Sequence, residues 1–217
     1  MIHFPDPREI RGDIVAVGDD LSSETLIDAY RRGIFPWPME GISLPWFCPR
    51  KRGVLFFQKL HLSRSLTRAR RQSLLRFTID EAFPSVIAEC AAQTRPDQDG
   101  TWIDERVLEA YCKLHRDGVT HSVEAWEGSE LVGGIYGVDA AGSFAGESMF
   151  FRRPNASKLA LLHLTEHLQA RGLEWMDVQV MTPHMKALGA QIVRREAFLD
   201  LLASTQKRGL RLFDRSD

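Results

Sequence analysis

The sequence predicts an α+β fold in which a mixed sheet carries flanking helices and a small N-terminal domain precedes it. Three observations support this. Stretches 121–126, 130–138 and 142–150 have strand-like composition and are joined by the short turns Glu127-Gly128-Ser129 and Asp139-Ala140-Ala141-Gly142, which implies an antiparallel meander. Segments with apolar residues at helical spacing stand on both sides of that meander. The first sixty residues are instead rich in Pro, Gly and Trp, which sets the expected division into a small N-terminal domain, 1–62, and a larger one, 63–217.

Within the first unit one helix is expected over 22–32, capped by Ser22 or Ser23 and stopped by Gly33. Ser63 then caps a basic helix to about residue 72, 76–79 reads as a strand, and Asp80 begins a helix through 92. After a loop over 93–100, Asp104 caps a helix in which Val107, Leu108, Tyr111 and Cys112 repeat at helical spacing until Gly118. The meander follows, then a helix over 155–170, a strand over 174–181, a short helix around 184–188, a strand near 191–193 and a last helix over 195–203. This order of elements resembles the GNAT acyltransferase fold. Acetyltransferases of that group cradle the coenzyme A pyrophosphate in a Gly-rich turn at a helix N-terminus. Here the corresponding stretch, Phe151-Arg152-Arg153-Pro154-Asn155-Ala156-Ser157-Lys158, contains no glycine, so an acyl-coenzyme A transferase is the rival reading rather than the first.

Composition excludes several classes. With 217 residues, 44% hydrophobic and 26% charged, the chain can bury a core without disulfides or metal. Cys48, Cys90 and Cys112 are odd in number and form no Cys-x-x-Cys pair. No apolar run reaches membrane-spanning length and no signal peptide is legible, so a cytoplasmic protein, a monomer without cofactor or metal, is expected. The net charge of -1 hides an asymmetry: 41–79 has no Asp or Glu and nine cations, Arg50, Lys51, Arg52, Lys59, Arg64, Arg68, Arg70, Arg71 and Arg76. On charge alone a phosphate-binding face and a solvated basic face fit equally well. Trp37, Trp46 and Phe47 just upstream favour the former, because flat side chains beside a basic groove stack on unpaired nucleotides.

The polar candidates lie in the second half. Glu147 sits among mostly apolar neighbours in Gly146-Glu147-Ser148-Met149-Phe150, where a carboxylate needs a partner. Asp177, Gln179 and Met181 are expected on one strand face by alternation. A buried structural hydrogen-bond network would give the same pattern. His163-Leu164-Thr165-Glu166-His167 matches the inverted zinc peptidase pattern, although no third ligand accompanies it and a polar helix face explains it as well.

These segments, taken with Ala29-Tyr30-Arg31-Arg32-Gly33-Ile34-Phe35-Pro36-Trp37, Thr101-Trp102-Ile103, Gly133-Gly134-Ile135-Tyr136-Gly137 and Asn155-Ala156-Ser157-Lys158, resemble the leucyl/phenylalanyl-tRNA-protein transferase family over roughly 4–202. The resemblance implies transfer of Leu, Phe or, less readily, Met from aminoacyl-tRNA to proteins beginning with Arg or Lys, marking them for N-end rule degradation. It implies that Gln179 contacts the attacking amine or the tetrahedral centre, that Asp177 orients and polarises Gln179, and that Glu147 helps bind the basic acceptor. It further implies Trp46, Phe47 and Trp102 as nucleotide contacts, and Phe144, Met149, Leu161 and Leu164 as the aminoacyl pocket. Arg64, Arg68, Arg70 and Arg71 are the expected tRNA contacts. Two departures from the family stand out: Trp46-Phe47-Cys48-Pro49 replaces Trp-Trp-Ser-Pro, and Leu164 stands where some members carry a larger aromatic.

Overall fold

The computed structural model describes residues 2–39, 41–93 and 103–214. Near the N-terminus β1 (Ile14–Val17), β2 (Phe35–Pro36) and β3 (Pro45–Phe47) form a small antiparallel sheet ordered β1-β3-β2. Helix α1 (Ser23–Arg31) lies between β1 and β2 in the chain; Ser22 caps it by accepting from the Thr25 N–H. The chain then enters the main sheet through β4 (Lys51–Phe56), which pairs between two strands from far downstream.

The main sheet has seven strands in the order β10-β4-β9-β8-β7-β6-β5. Its members beyond β4 are β5 (Arg76–Ile79), β6 (Thr120–Glu127), β7 (Glu130–Asp139), β8 (Phe144–Phe151), β9 (Trp175–Gln179) and β10 (Gln191–Arg194). The expected meander is β6-β7-β8, and the sheet is mixed because β8 and β9 run parallel. The helices are α2 (Arg64–Gln72), α3 (Phe83–Ala92), α4 (Glu105–Arg116), α5 (Ala156–Ala170), α6 (Pro183–Ala187) and α7 (Arg195–Gln206).

Alternation along the strands feeds two apolar layers. Val54, Tyr136 and Trp175 join α1, α3, α4, α7 and the small sheet in one layer. Leu55, Ile135 and Met176 join α2 and α5 in the other. Gly133 lets α5 approach β7: a Cβ there would lie 2.6 Å from the Ala156 Cβ.

Two local expectations fail for physical reasons. Helix α3 starts at Phe83 rather than Asp80, because the Asp80 carboxylate is bound to His121 Nδ1 at 2.6 Å and to the Ser122 N–H at 2.8 Å while its backbone turns at φ 62°. Alternation does not reach Met181: β9 ends at Gln179, and Met181 packs with the α5 layer while Asp177 meets side chains of the opposite one.

Candidate active site

Strands β8 and β9 share one register pair, Ala145↔Asp177. Glu147 and Gln179 each follow that pair by two residues, toward the C-terminal ends of the two strands. Two irregularities re-aim side chains there. On β8, Ser148 and Gly146 pair with successive residues of β7, so Glu147 is an extra residue at a bulge. On β9, Asp177 and Gln179 pair with successive residues of β4, so Val178 is extra.

Arg52 of β4 and Asp177 form a buried bidentate pair, with Nε–Oδ1 2.8 Å and Nη2–Oδ2 2.6 Å, and 1% and 7% of their side chains exposed. The guanidinium lies between the Phe35 and Phe198 rings, 4.6 and 4.5 Å from their centroids. Burial opposes its charge, but Asp177 more than offsets this and holds Arg52 above its ordinary pKa. Asp177 Oδ1 also accepts from the Gln179 backbone N–H at 2.8 Å. That bond closes around a left-handed Gln179, φ 56°, a conformation costing on the order of 1–3 kcal/mol for a residue with a Cβ.

The Gln179 side-chain Nε2 donates to Glu147 Oε1 at 2.6 Å. Glu147 is half-buried as a residue, and burial of its carboxyl pushes it up to about 8. The Tyr30 hydroxyl, Arg52 and Gln179 oppose that shift, and the Asp177 charge adds to it. Tyr30 of α1 and Tyr111 of α4 share a buried hydroxyl–hydroxyl bond of 2.5 Å. Burial, reinforced by Glu147, holds both phenols well above their ordinary range, so they stay protonated. Cys48 is fully buried and burial pushes its thiol up, which disfavours it as a nucleophile.

Glu147, Asp177 and Gln179 therefore meet in one cluster, while other candidates are dispersed. Trp46 is fully buried, donates from Nε1 to the Gly18 carbonyl at 2.9 Å and sets its ring edge-on to Phe4, so it is part of the core with no ring face at the surface. Phe47 is half-buried and stacks on Phe35, the ring beside Arg52. Trp102 lies outside the described residues. Phe144, Leu161 and Leu164 are fully packed in the α5 layer with half-buried Met149. On α2, Arg64, Arg68 and Arg71 are exposed at spacings of four and three along one face, and Arg70 pairs with Glu166.

The helical histidines have structural partners. His163 stacks on Phe77, and His167 Nε2 contacts the Leu212 carbonyl at 2.7 Å. Among the described residues no group of three or more His, Cys, Asp or Glu could hold a metal. No helix among them is long and apolar enough to cross a membrane. The β8–α5 connection offers little to a pyrophosphate, since Arg152 pairs with Glu89 and Arg153 with Glu127. A surface hollow of about 600 Å³ against α4, lined by Leu21, Arg106, Cys112 and Arg116 among others, contains none of the clustered polar residues.

The profile of the family described as leucyl/phenylalanyl-tRNA protein transferase matches residues 54–203, and that of its N-terminal domain matches 19–50. The chain belongs to this family. A leucyl/phenylalanyl-tRNA–protein transferase of Desulfatibacillum aliphaticivorans is 47% identical over 205 residues, 94% of this chain and 88% of that relative. One from Maridesulfovibrio salexigens is 48% identical over 202 residues, 92% and 84% of the two chains. One from Chromobacterium violaceum is 46% identical over 189 residues, 87% and 81%.

As a member of the leucyl/phenylalanyl-tRNA protein transferase family the chain is an aminoacyltransferase. Sequence reasoning missed three parts of its polar cluster. Arg52 was hidden in a run of cations that reads as surface, although the neighbouring Gly53-Val54-Leu55 marked a strand buried on both sides. Tyr30 and Tyr111 occupy the apolar stripes of amphipathic helices, where a phenol is indistinguishable from core.

Proposed function

We propose that this aminoacyltransferase moves Leu, Phe and, less readily, Met from aminoacyl-tRNA to the N-terminal α-amine of proteins that begin with Arg or Lys, marking them for N-end rule degradation. The observation that supports this most is the Asp177–Gln179–Glu147 cluster beside the β8–β9 pair, in a chain that matches the family almost throughout. The reaction is aminolysis of an activated ester by an amine of reference pKa about 8, so positioning and modest proton removal suffice without a covalent enzyme intermediate.

The geometry refines the roles. Asp177 acts on Gln179 through the backbone N–H, and its carboxylate is a fixed charge held by Arg52. Glu147 accepts from the Gln179 side-chain N–H, which leaves the amide oxygen of Gln179 as the proposed contact of the acceptor amine. Phe47 and Trp102 are the proposed contacts of the terminal adenosine, while the buried Trp46 is part of the core. Met149 is the proposed adaptable wall of the aminoacyl pocket, backed by Phe144, Leu161 and Leu164. Arg64, Arg68, Arg70 and Arg71 would meet tRNA phosphates.

The same proposal places the enzyme in the cytoplasm as a monomer and reads the meander with its parallel neighbour β9 as GNAT-like. It keeps an N-terminal unit, 1–62, and an acyltransferase unit, 63–217, with β4 lent to the main sheet. The test is transfer of labelled leucine from Leu-tRNA to peptides beginning with Arg, Lys, Asp or Ala, with labelled acetyl-coenzyme A in parallel. Transfer confined to Arg and Lys peptides is expected; acetylation without transfer from tRNA would overturn the proposal.

A further inference from the structure

We infer that Glu147 is the proton acceptor of the transfer reaction, and that Asp177, bonded to Arg52, shapes the backbone beneath Gln179. This rests on the aminoacyl-transfer reading above and goes beyond the acceptor-binding role that the family resemblance implies for Glu147.

Asp177 receives three donors, Arg52 Nε, Arg52 Nη2 and the Gln179 N–H, at 2.6–2.8 Å, so its lone pairs point into the protein and its charge has a fixed counterion. The Gln179 amide is not basic and can only hold the amine in place. Facing Glu147 are Tyr30 from α1, Tyr111 from α4, Asp177 and Gln179 from β9, and Arg52 from β4. The phenols keep their protons, Arg52 stays a cation and the Cys48 thiol is pushed up, which leaves Glu147, half-buried, as the carboxylate of this cluster that touches the Gln179 side chain. It stands at the β8 bulge, next to the Gln179 side chain. Burial also brings its proton affinity close to that of an α-amine, so that a proton passes between the two groups without a large free-energy difference.

The protons balance as follows. The acceptor α-ammonium gives one proton to a Glu147 carboxylate oxygen. The freed nitrogen lone pair forms the C–N bond to the ester carbonyl carbon. The bond from that carbon to the ribose oxygen breaks with its electron pair, and the leaving oxygen takes a second proton from the nitrogen. The third hydrogen remains on the new amide, and Glu147 returns its proton to solvent.

The experiment is single-turnover leucine transfer from Leu-tRNA to an Arg-initiated peptide between pH 6 and 9, for the wild-type enzyme, Glu147→Gln and Glu147→Ala with added formate. Glu147→Gln should lose about 100-fold or more in rate with Leu-tRNA affinity unchanged. Formate should restore Glu147→Ala by at least about tenfold, which a purely structural role would not allow. The wild-type rate should rise through about 8. Because a peptide amine ionises in the same range, the profile is repeated with an acceptor whose α-amine is acidified by neighbouring fluorine: the wild-type midpoint should stay, whereas that of Glu147→Gln should follow the amine. The wild-type pair of profiles decides the matter even if the variants fail to fold. A Glu147→Gln enzyme that keeps its rate but loses acceptor affinity, or a wild-type midpoint that tracks the amine, overturns the inference. Absence of any transfer by the wild-type enzyme would instead overturn the reading on which it rests.

Discussion

Arg52 and Arg68 come from the same acid-free basic stretch, yet the fold uses them in opposite ways. Arg52 is desolvated between two phenyl rings and bound to a buried carboxylate, where interactions are little screened and each partner depends on the other. Arg68 stands in water on α2, bonded to Gln72 of its own helix, where salt screens its charge and no single contact matters much. Charge composition therefore says little about what an arginine does until burial is known. The cluster around Arg52 should fail abruptly under single substitutions, whereas the α2 face should weaken gradually and only in aggregate.

The largest expected effect comes from breaking the buried pair. Arg52→Met leaves Asp177 unpaired and should lower unfolding free energy by about 3–5 kcal/mol in denaturant titrations, while Arg52→Met combined with Asp177→Leu should recover much of the loss. Trp46→Phe removes the bond to the Gly18 carbonyl and should cost about 1–2 kcal/mol, with adenosine affinity hardly altered, since the ring is buried. Glu147→Gln has the opposite sign. A carboxyl raised to about 8 in the fold contributes stability below its ordinary pKa that is lost as pH rises toward 8. The variant should therefore melt higher than wild type at pH 8, and the gap should close near pH 4.

On α2, neutralising Arg64, Arg68 and Arg71 together should flatten the dependence of log affinity for tRNA on log salt by about 2–3, and any one alone by about 1. An unchanged slope would mean that this face does not meet tRNA. Smallest of all, His163→Ala or a chelator should leave turnover within about twofold, because His163 stacks on Phe77 and His167 meets the Leu212 carbonyl.

Legibility in the sequence follows the same division between local and non-local. The meander, the capped helices α1, α2 and α4 and the exposed arginines of α2 were readable, because turns, caps and periodicity act between near neighbours. Glu147, Asp177 and Gln179 could be singled out as polar residues in apolar strands and through the family resemblance. Their geometry could not: it depends on two bulges, on a left-handed Gln179 and on β4 inserting beside β9 from far upstream. Strand β4 itself escaped notice because its inward arginine disguises it as a surface loop, and Trp46 read as a nucleotide platform because composition does not report which rings are covered.

The most direct test of the account is the turnover of Asp177→Asn, measured as leucine transfer at saturating Leu-tRNA and Arg-initiated peptide beside the dissociation constant for Leu-tRNA. A buried, paired Asp177 that shapes the Gln179 backbone predicts a fall in turnover of about 100-fold or more with tRNA affinity within about threefold of wild type. Unchanged turnover would contradict it and would reduce the cluster to a stabilising network in the core.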